Sequence, residues 1–128
     1  MKYLTTEDFY KFIITLLEEL KVEVVTENPN GNAIFPCIVA QAPIRIDEKI
    51  YDRFPILTRF SITCEAWTKS KMQSIILSDK IDQKLREYNF RKIGSPIDSY
   101  DEITKCQRYG GTYEVLYNAL TNSFEKSN

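Results

Sequence analysis

Ile56-Leu57-Thr58-Arg59-Phe60-Ser61-Ile62-Thr63-Cys64-Glu65-Ala66-Trp67 is the run from which the rest of the chain can be placed. Its side chains alternate. Phe60, Ile62, Cys64 and Ala66 fall on one face, and Arg59, Ser61, Thr63 and Glu65 fall on the other. Period two across β-branched and aromatic residues describes a strand covered on one side. The period changes after Trp67-Thr68-Lys69. Leu77, Ile81, Leu85 and Tyr88 recur at helical spacing among Asp79, Lys80, Asp82, Lys84, Arg86 and Glu87, which predicts an amphipathic helix ending at Asn89. Thr68 or Ser70 can cap it. A half-buried strand feeding such a helix makes a sheet-plus-helix layer around which the other segments fit.

Upstream, Thr5 or Thr6 caps a first helix, with Glu7 and Asp8 in its first turn. Phe9, Phe12, Ile13, Leu16, Leu17 and Leu20 form one apolar stripe at i, i+3, i+4 spacing. The polar face of this helix is not basic, so the stripe reads as core rather than as a membrane-surface helix. Val22, Val24 and Val25 predict a short strand. Asn28-Pro29-Asn30-Gly31-Asn32 is turn chemistry, and Ala33 to Ala42 is a second strand, so the pair reads as a hairpin. Pro36 puts the start of the second strand near an edge or at a bulge. Ala42 to Pro55 mixes charges with isolated Ile44, Ile46, Ile50 and Tyr51. It reads as a projecting two-stranded arm or, more simply, as a solvated loop.

Downstream, Phe90-Arg91-Lys92-Ile93 is extended and Gly94-Ser95-Pro96 is a turn. Ile97 to Glu102, Ile103 to Arg108 and Thr112 to Tyr117 give further strand segments, joined or bulged at Gly110-Gly111. Residues 122–128 read as a frayed polar tail.

The chain has 128 residues, 43% of them hydrophobic and 27% charged, which fits one globular domain over 1–128. Charges interrupt its longest apolar stretch, Phe9 to Val25, so no membrane span is expected. The first residues lack a signal-peptide layout, so synthesis in the cytoplasm is expected. Seventeen basic and eighteen acidic residues leave a net charge of −1, which argues against non-specific nucleic-acid binding. With no His, Ser–His–Asp and Cys–His sets cannot be built. Cys37, Cys64 and Cys106 are too dispersed for a zinc site and read as small buried hydrophobes in a reducing compartment. No Gly-rich loop matches a phosphate-binding fingerprint. The expectation is a protein without enzymatic activity, cofactor or metal. Tyr100, Tyr109, Tyr113 and Tyr117 cluster in the C-terminal third, either as protein–protein contacts or as caps on strand ends.

Three stretches together resemble the tail terminator, or tail-completion, proteins of long-tailed bacteriophages and phage-tail-like particles. The first is Phe35-Pro36-Cys37-Ile38-Val39. The second is Ile62-Thr63-Cys64-Glu65-Ala66-Trp67-Thr68-Lys69-Ser70. The third is Ser99-Tyr100-Asp101-Glu102-Ile103-Thr104-Lys105, followed by Arg108-Tyr109 and closing on Tyr117-Asn118-Ala119-Leu120-Thr121-Asn122-Ser123-Phe124. The resemblance implies an α+β fold, a mixed and largely antiparallel sheet with two main helices packed on one face. It also implies a homo-oligomeric, hexameric ring on the head-proximal end of the tail tube. Such a ring halts tube polymerisation, contacts the tail tube protein and docks neck, collar or head–tail connector proteins, with DNA passing through it. The corresponding location is the virion or a tail-like particle, and no catalysis or cofactor is involved. Two alternatives stay open: a head-completion or connector neck protein, and a small non-enzymatic regulatory or nucleic-acid-binding domain.

A ring needs heterologous interfaces. The two segments flanking the central strand–helix unit are expected to supply them. The candidate contacts are Arg45, Asp47, Tyr51, Asp52 and Arg53 before it, with Tyr100, Asp101, Arg108, Tyr109 and Tyr113 after it. Charge pairs among these residues would fix the register.

Overall fold

The computed structural model describes residues 2–30 and 33–127. The fold is α+β: two helices and a mixed, mostly antiparallel seven-stranded sheet. In chain order the elements are α1 (Thr6–Glu18), β1 (Glu23–Val25), β2 (Cys37–Ala40), β3 (Ile44–Tyr51), β4 (Phe54–Thr68), α2 (Lys71–Arg86), β5 (Arg91–Asp101), β6 (Cys106–Asn118) and β7 (Ser123–Glu125). The path through the sheet is β1-β2-β4-β6-β5, with β3 also on β4 and β7 also on β6.

The alternating run lies within β4, the spine of the sheet. Phe60, Ile62, Cys64 and Ala66 join one cluster with Phe9, Ile13, Leu16 and Leu17 of α1 and Leu77, Ile81 and Leu85 of α2. Both helices therefore cover the same face. Phe9 stacks on Phe60 with ring centroids 4.1 Å apart. Burying each such side chain contributes about 1.5–3 kcal/mol, so the two stripes dominate the packing energy. Thr5 Oγ1 accepts from the Asp8 N–H and caps α1; the Ser70 side chain caps α2. The α2 interface also uses Ser74 and Ser78, small enough to let the helix approach the sheet. Ser74 Oγ donates to the Gln107 carbonyl at 2.7 Å and meets Thr68 Oγ1 at 2.8 Å. Asn89 ends α2 in the left-handed region (φ 71°), where the Phe90 N–H reaches the Leu85 carbonyl.

Several local expectations change. β1 and β2 are parallel, with Glu23 opposite Cys37 and Val25 opposite Val39, so they are not a hairpin. Eleven residues, 26–36, separate the two strands in the sequence. Of the expected turn there, Gly31 and Asn32 lie outside the described residues. Pro36 stands just before β2, which runs between β1 and β4 rather than at an edge. Gly94-Ser95-Pro96 is a bulge within β5, between Ile93 and Ile97, rather than a turn. The turn falls instead at 102–105, before β6. β6 runs straight through Gly110-Gly111 in unbroken register with β4. Glycine is required at 110 because a Cβ there would sit 2.1 Å from the Cys64 carbonyl oxygen of the neighbouring strand. The expected frayed tail is ordered as β7 over Ser123–Glu125, paired to β6. Phe124 anchors it against Phe9, Phe12, Phe90 and Tyr117.

Candidate functional site

The stretch from Ala42 to Pro55 is a two-stranded arm. β3 pairs with the first half of β4, from Ile44 opposite Ser61 to Tyr51 opposite Phe54, with a bulge around Glu48. Asp52 (φ 50°) and Arg53 (φ 67°) make the two-residue turn, and left-handed conformation at both positions is the geometry that continues strand twist in a tight hairpin. Along the outer edge of β3, Ile44, Ile46 and Ile50 are 52–63% exposed, and Tyr51 at the tip is 72% exposed. Ile44 lies opposite Ser61 and Ile46 opposite Arg59, which puts both on the helix-free face of the sheet. A strand edge with an apolar row is the feature that soluble proteins usually blunt, unless it binds something.

Arg45 and Asp47 do not join this exposed row. Arg45 Nε pairs with Asp47 Oδ1 at 3.1 Å, its guanidinium lies 4.6 Å from the Tyr3 ring, and Nη1 donates to the Leu4 carbonyl. Thr58 Oγ1 donates to the same Asp47 oxygen. These two residues fasten the arm and the N-terminal segment to β4, so their charges are spent within the chain.

The C-terminal set is divided as well. Tyr113 is fully buried in the core and its hydroxyl donates to Asp82 Oδ1 at 3.1 Å, so it cannot present a contact surface. Its odd-numbered position in β6 places it opposite Ile62, on the helix-covered face. Arg108 is held at a buried carboxylate. Glu65 is 0% exposed and accepts from Arg108 Nε and Nη2, both at 2.8 Å, and from Gln41 Nε2 at 2.9 Å. The guanidinium also lies 4.8 Å from the Trp67 ring centroid. Asp101 accepts from the Thr104 N–H and hydroxyl and closes the β5–β6 turn. The backbone N–H first, then the hydroxyl, holds its carboxyl below the usual range. Tyr109 is half-buried, whereas Tyr100 remains exposed.

The exposed residues among these candidates sit at two poles. Tyr51, Asp52 and Arg53 precede the start of β4. Tyr100 lies opposite Gln107, itself opposite Thr68 at the end of β4. Beside that second pole is a cleft of about 370 Å³ between α2 and the segments entering β1 and β2. Phe35, Ile76 and Leu77 line it with Lys69 and Lys80.

Between the poles the helix-free face carries its own ion pairs. Arg59 pairs with Glu48 and Glu114, and Arg91 also reaches Glu114. Neither this ladder nor the cleft was expected from sequence, because each joins residues through strand register rather than chain proximity. As nucleophiles the cysteines are poorly disposed: burial first pushes the Cys37 and Cys64 thiols up to about 12. Among the described residues no helix is long and apolar enough to cross a membrane. No protein-family model and no curated protein matches this chain.

Proposed function

We propose that this protein is a non-enzymatic assembly component of the tail-terminator type. In this reading it forms a hexameric ring on the head-proximal end of a phage tail tube or tail-like particle. The ring stops tube polymerisation and offers the docking surface for neck or collar proteins. The observation that carries the reading is the β3–β4 arm, whose edge strand leaves Ile44, Ile46 and Ile50 exposed despite its bulge and charges and ends in an exposed tyrosine. Support also comes from the resemblance of the Phe35–Val39, Ile62–Ser70 and Ser99–Phe124 stretches to that family. A near-zero net charge leaves self-association unopposed.

Sedimentation and electron microscopy with purified tail tubes test the proposal. The expected result is a closed ring in solution that decorates one end of each tube. A chain that remains monomeric and leaves tube ends bare would refute it.

A further inference from the structure

β4 has fifteen residues, so its two ends lie about 45 Å apart at 3.2–3.4 Å per residue. At one end the arm projects Tyr51 and Asp52, both exposed, and among the described residues no hydrogen bond or ion pair engages either side chain. At the other lies the cleft lined by Phe35, Ile76 and Leu77. Lys80 stands on its rim without an ion-pair partner among the described residues, and Lys69 lies over the Phe35 ring while donating to the Thr104 carbonyl. The exposed aromatic is complementary to the apolar cleft, and of the two charges in the turn beside it, Asp52 rather than Arg53 matches the lysines there. The distance forbids one chain from joining its own pair.

We propose that Tyr51 of one copy enters the Phe35–Ile76 cleft of the next, with Asp52 facing Lys80. The contact is heterologous: each copy offers a knob at one pole and a socket at the other, and successive copies close into a ring when the rotation between them permits. Tyrosine is among the residues that most often anchor such pockets, with a large buried area and a polar tip. The inference rests on the ring reading above and names the surfaces that build the ring. It also moves the second surface from the Tyr100–Tyr117 region, where Tyr113 is buried and Arg108 is committed, to the neighbouring cleft.

The test uses Tyr51→Ala, which removes the knob, and Ile76→Glu, which blocks the socket. Both positions are exposed (72% and 41%), so both variants should keep the wild-type circular dichroism and melting temperature. Analytical ultracentrifugation follows each variant alone and an equimolar mixture. Each variant alone should be monomeric, with at least a hundredfold weaker self-association than wild type. The mixture should give a dimer and no ring, because one intact knob meets one intact socket. Wild-type oligomers in both variants would overturn this contact while leaving the ring standing. A mixture that stays monomeric would overturn its head-to-tail form. A wild-type chain that stays monomeric and leaves tube ends bare would remove the ring reading and this contact together.

Discussion

Replacing Arg108 with alanine should destabilise the protein by about 3 kcal/mol, far more than removal of a surface charge. The reason lies on the other side of the pair. Glu65 has no solvent exposure, and two of its three hydrogen bonds come from the Arg108 guanidinium at 2.8 Å. Breaking a buried ion pair by deleting one partner costs about 3–5 kcal/mol, because the other charge is left uncompensated. The Arg108 side chain is 24% exposed, so water can reach part of the vacated space, which places the effect near the lower bound. Loss of the contact with the Trp67 ring adds to it. For a chain of this size, about 3 kcal/mol corresponds to a fall in Tm on the order of 10 °C. Urea denaturation measures it well, since Trp67 is the only tryptophan and lies beside the pair; far-UV circular dichroism supplies the global probe. Adding Glu65→Gln should return at least about 1 kcal/mol, because it removes the stranded charge while preserving shape. A loss below about 0.5 kcal/mol for Arg108→Ala, the range of an exposed pair, would refute the reasoning. The same logic makes charge reversal at Arg108 a poor probe of assembly, since it would disturb the fold first. Arg53, exposed in the hairpin turn, can be reversed without that confusion.

Phe124→Ala should cost about 2–4 kcal/mol in urea titrations, since the ring touches four other aromatics; a frayed tail would give almost no change. Gly110→Ala should cost on the order of 3 kcal/mol or prevent folding, because the new Cβ meets the backbone of β4 rather than a movable side chain. A soluble, equally stable variant would show that the strands can separate there. The two most perturbed thiols predict a pH dependence. Folding holds protons on Cys37 and Cys64 up to about 12, whereas the unfolded chain releases them near the ordinary value of 9. Unfolding therefore releases protons between those values, and stability should fall as pH rises from about 9 to 12, by up to about 1.4 kcal/mol per pH unit for each thiol. Substituting both with alanine should flatten that slope in pH-resolved melts, whatever the packing cost.

What could be read from the chain was local periodicity. The β4 alternation, both helical stripes and the Thr5 cap needed only neighbours a few residues apart. The arm was visible as a turn-flanked excursion, but its pairing partner was not. Where the sequence misled, a long-range contact decided the outcome. Asn28-Pro29 looks like hairpin chemistry, yet β2 pairs on both sides, antiparallel to β4 and parallel to β1. Gly110-Gly111 looks like a break, yet glycine is needed for close approach of adjacent strands. Tyr113 and Arg108 read as surface residues for a similar reason. Their environment depends on the register of β6 against β4, which puts Tyr113 opposite Ile62 and Arg108 opposite Trp67.

That register also bears on which surface is available for assembly. The helix-free face of the sheet is rich in charge, but its charges are largely answered within the chain. Arg59 lies between Glu48 and Glu114, Arg91 shares Glu114, and Glu65 holds Arg108. A partner using this face would have to compete with pairs that already satisfy one another, at a desolvation cost that a rim contact seldom repays. The apolar side chains of Ile44, Ile46 and Ile50 at the outer margin of that face, and the apolar lining of the cleft beside α2, take no part in these pairs, and they lie toward opposite ends of β4. Binding at these poles leaves the core, the ladder and the Glu65 pair undisturbed, so assembly would require little reorganisation of the subunit. If copies join at these poles as proposed, the sheet is a spacer of fixed length between the two contacts, and the angle that its twist sets between them determines how many copies close a ring.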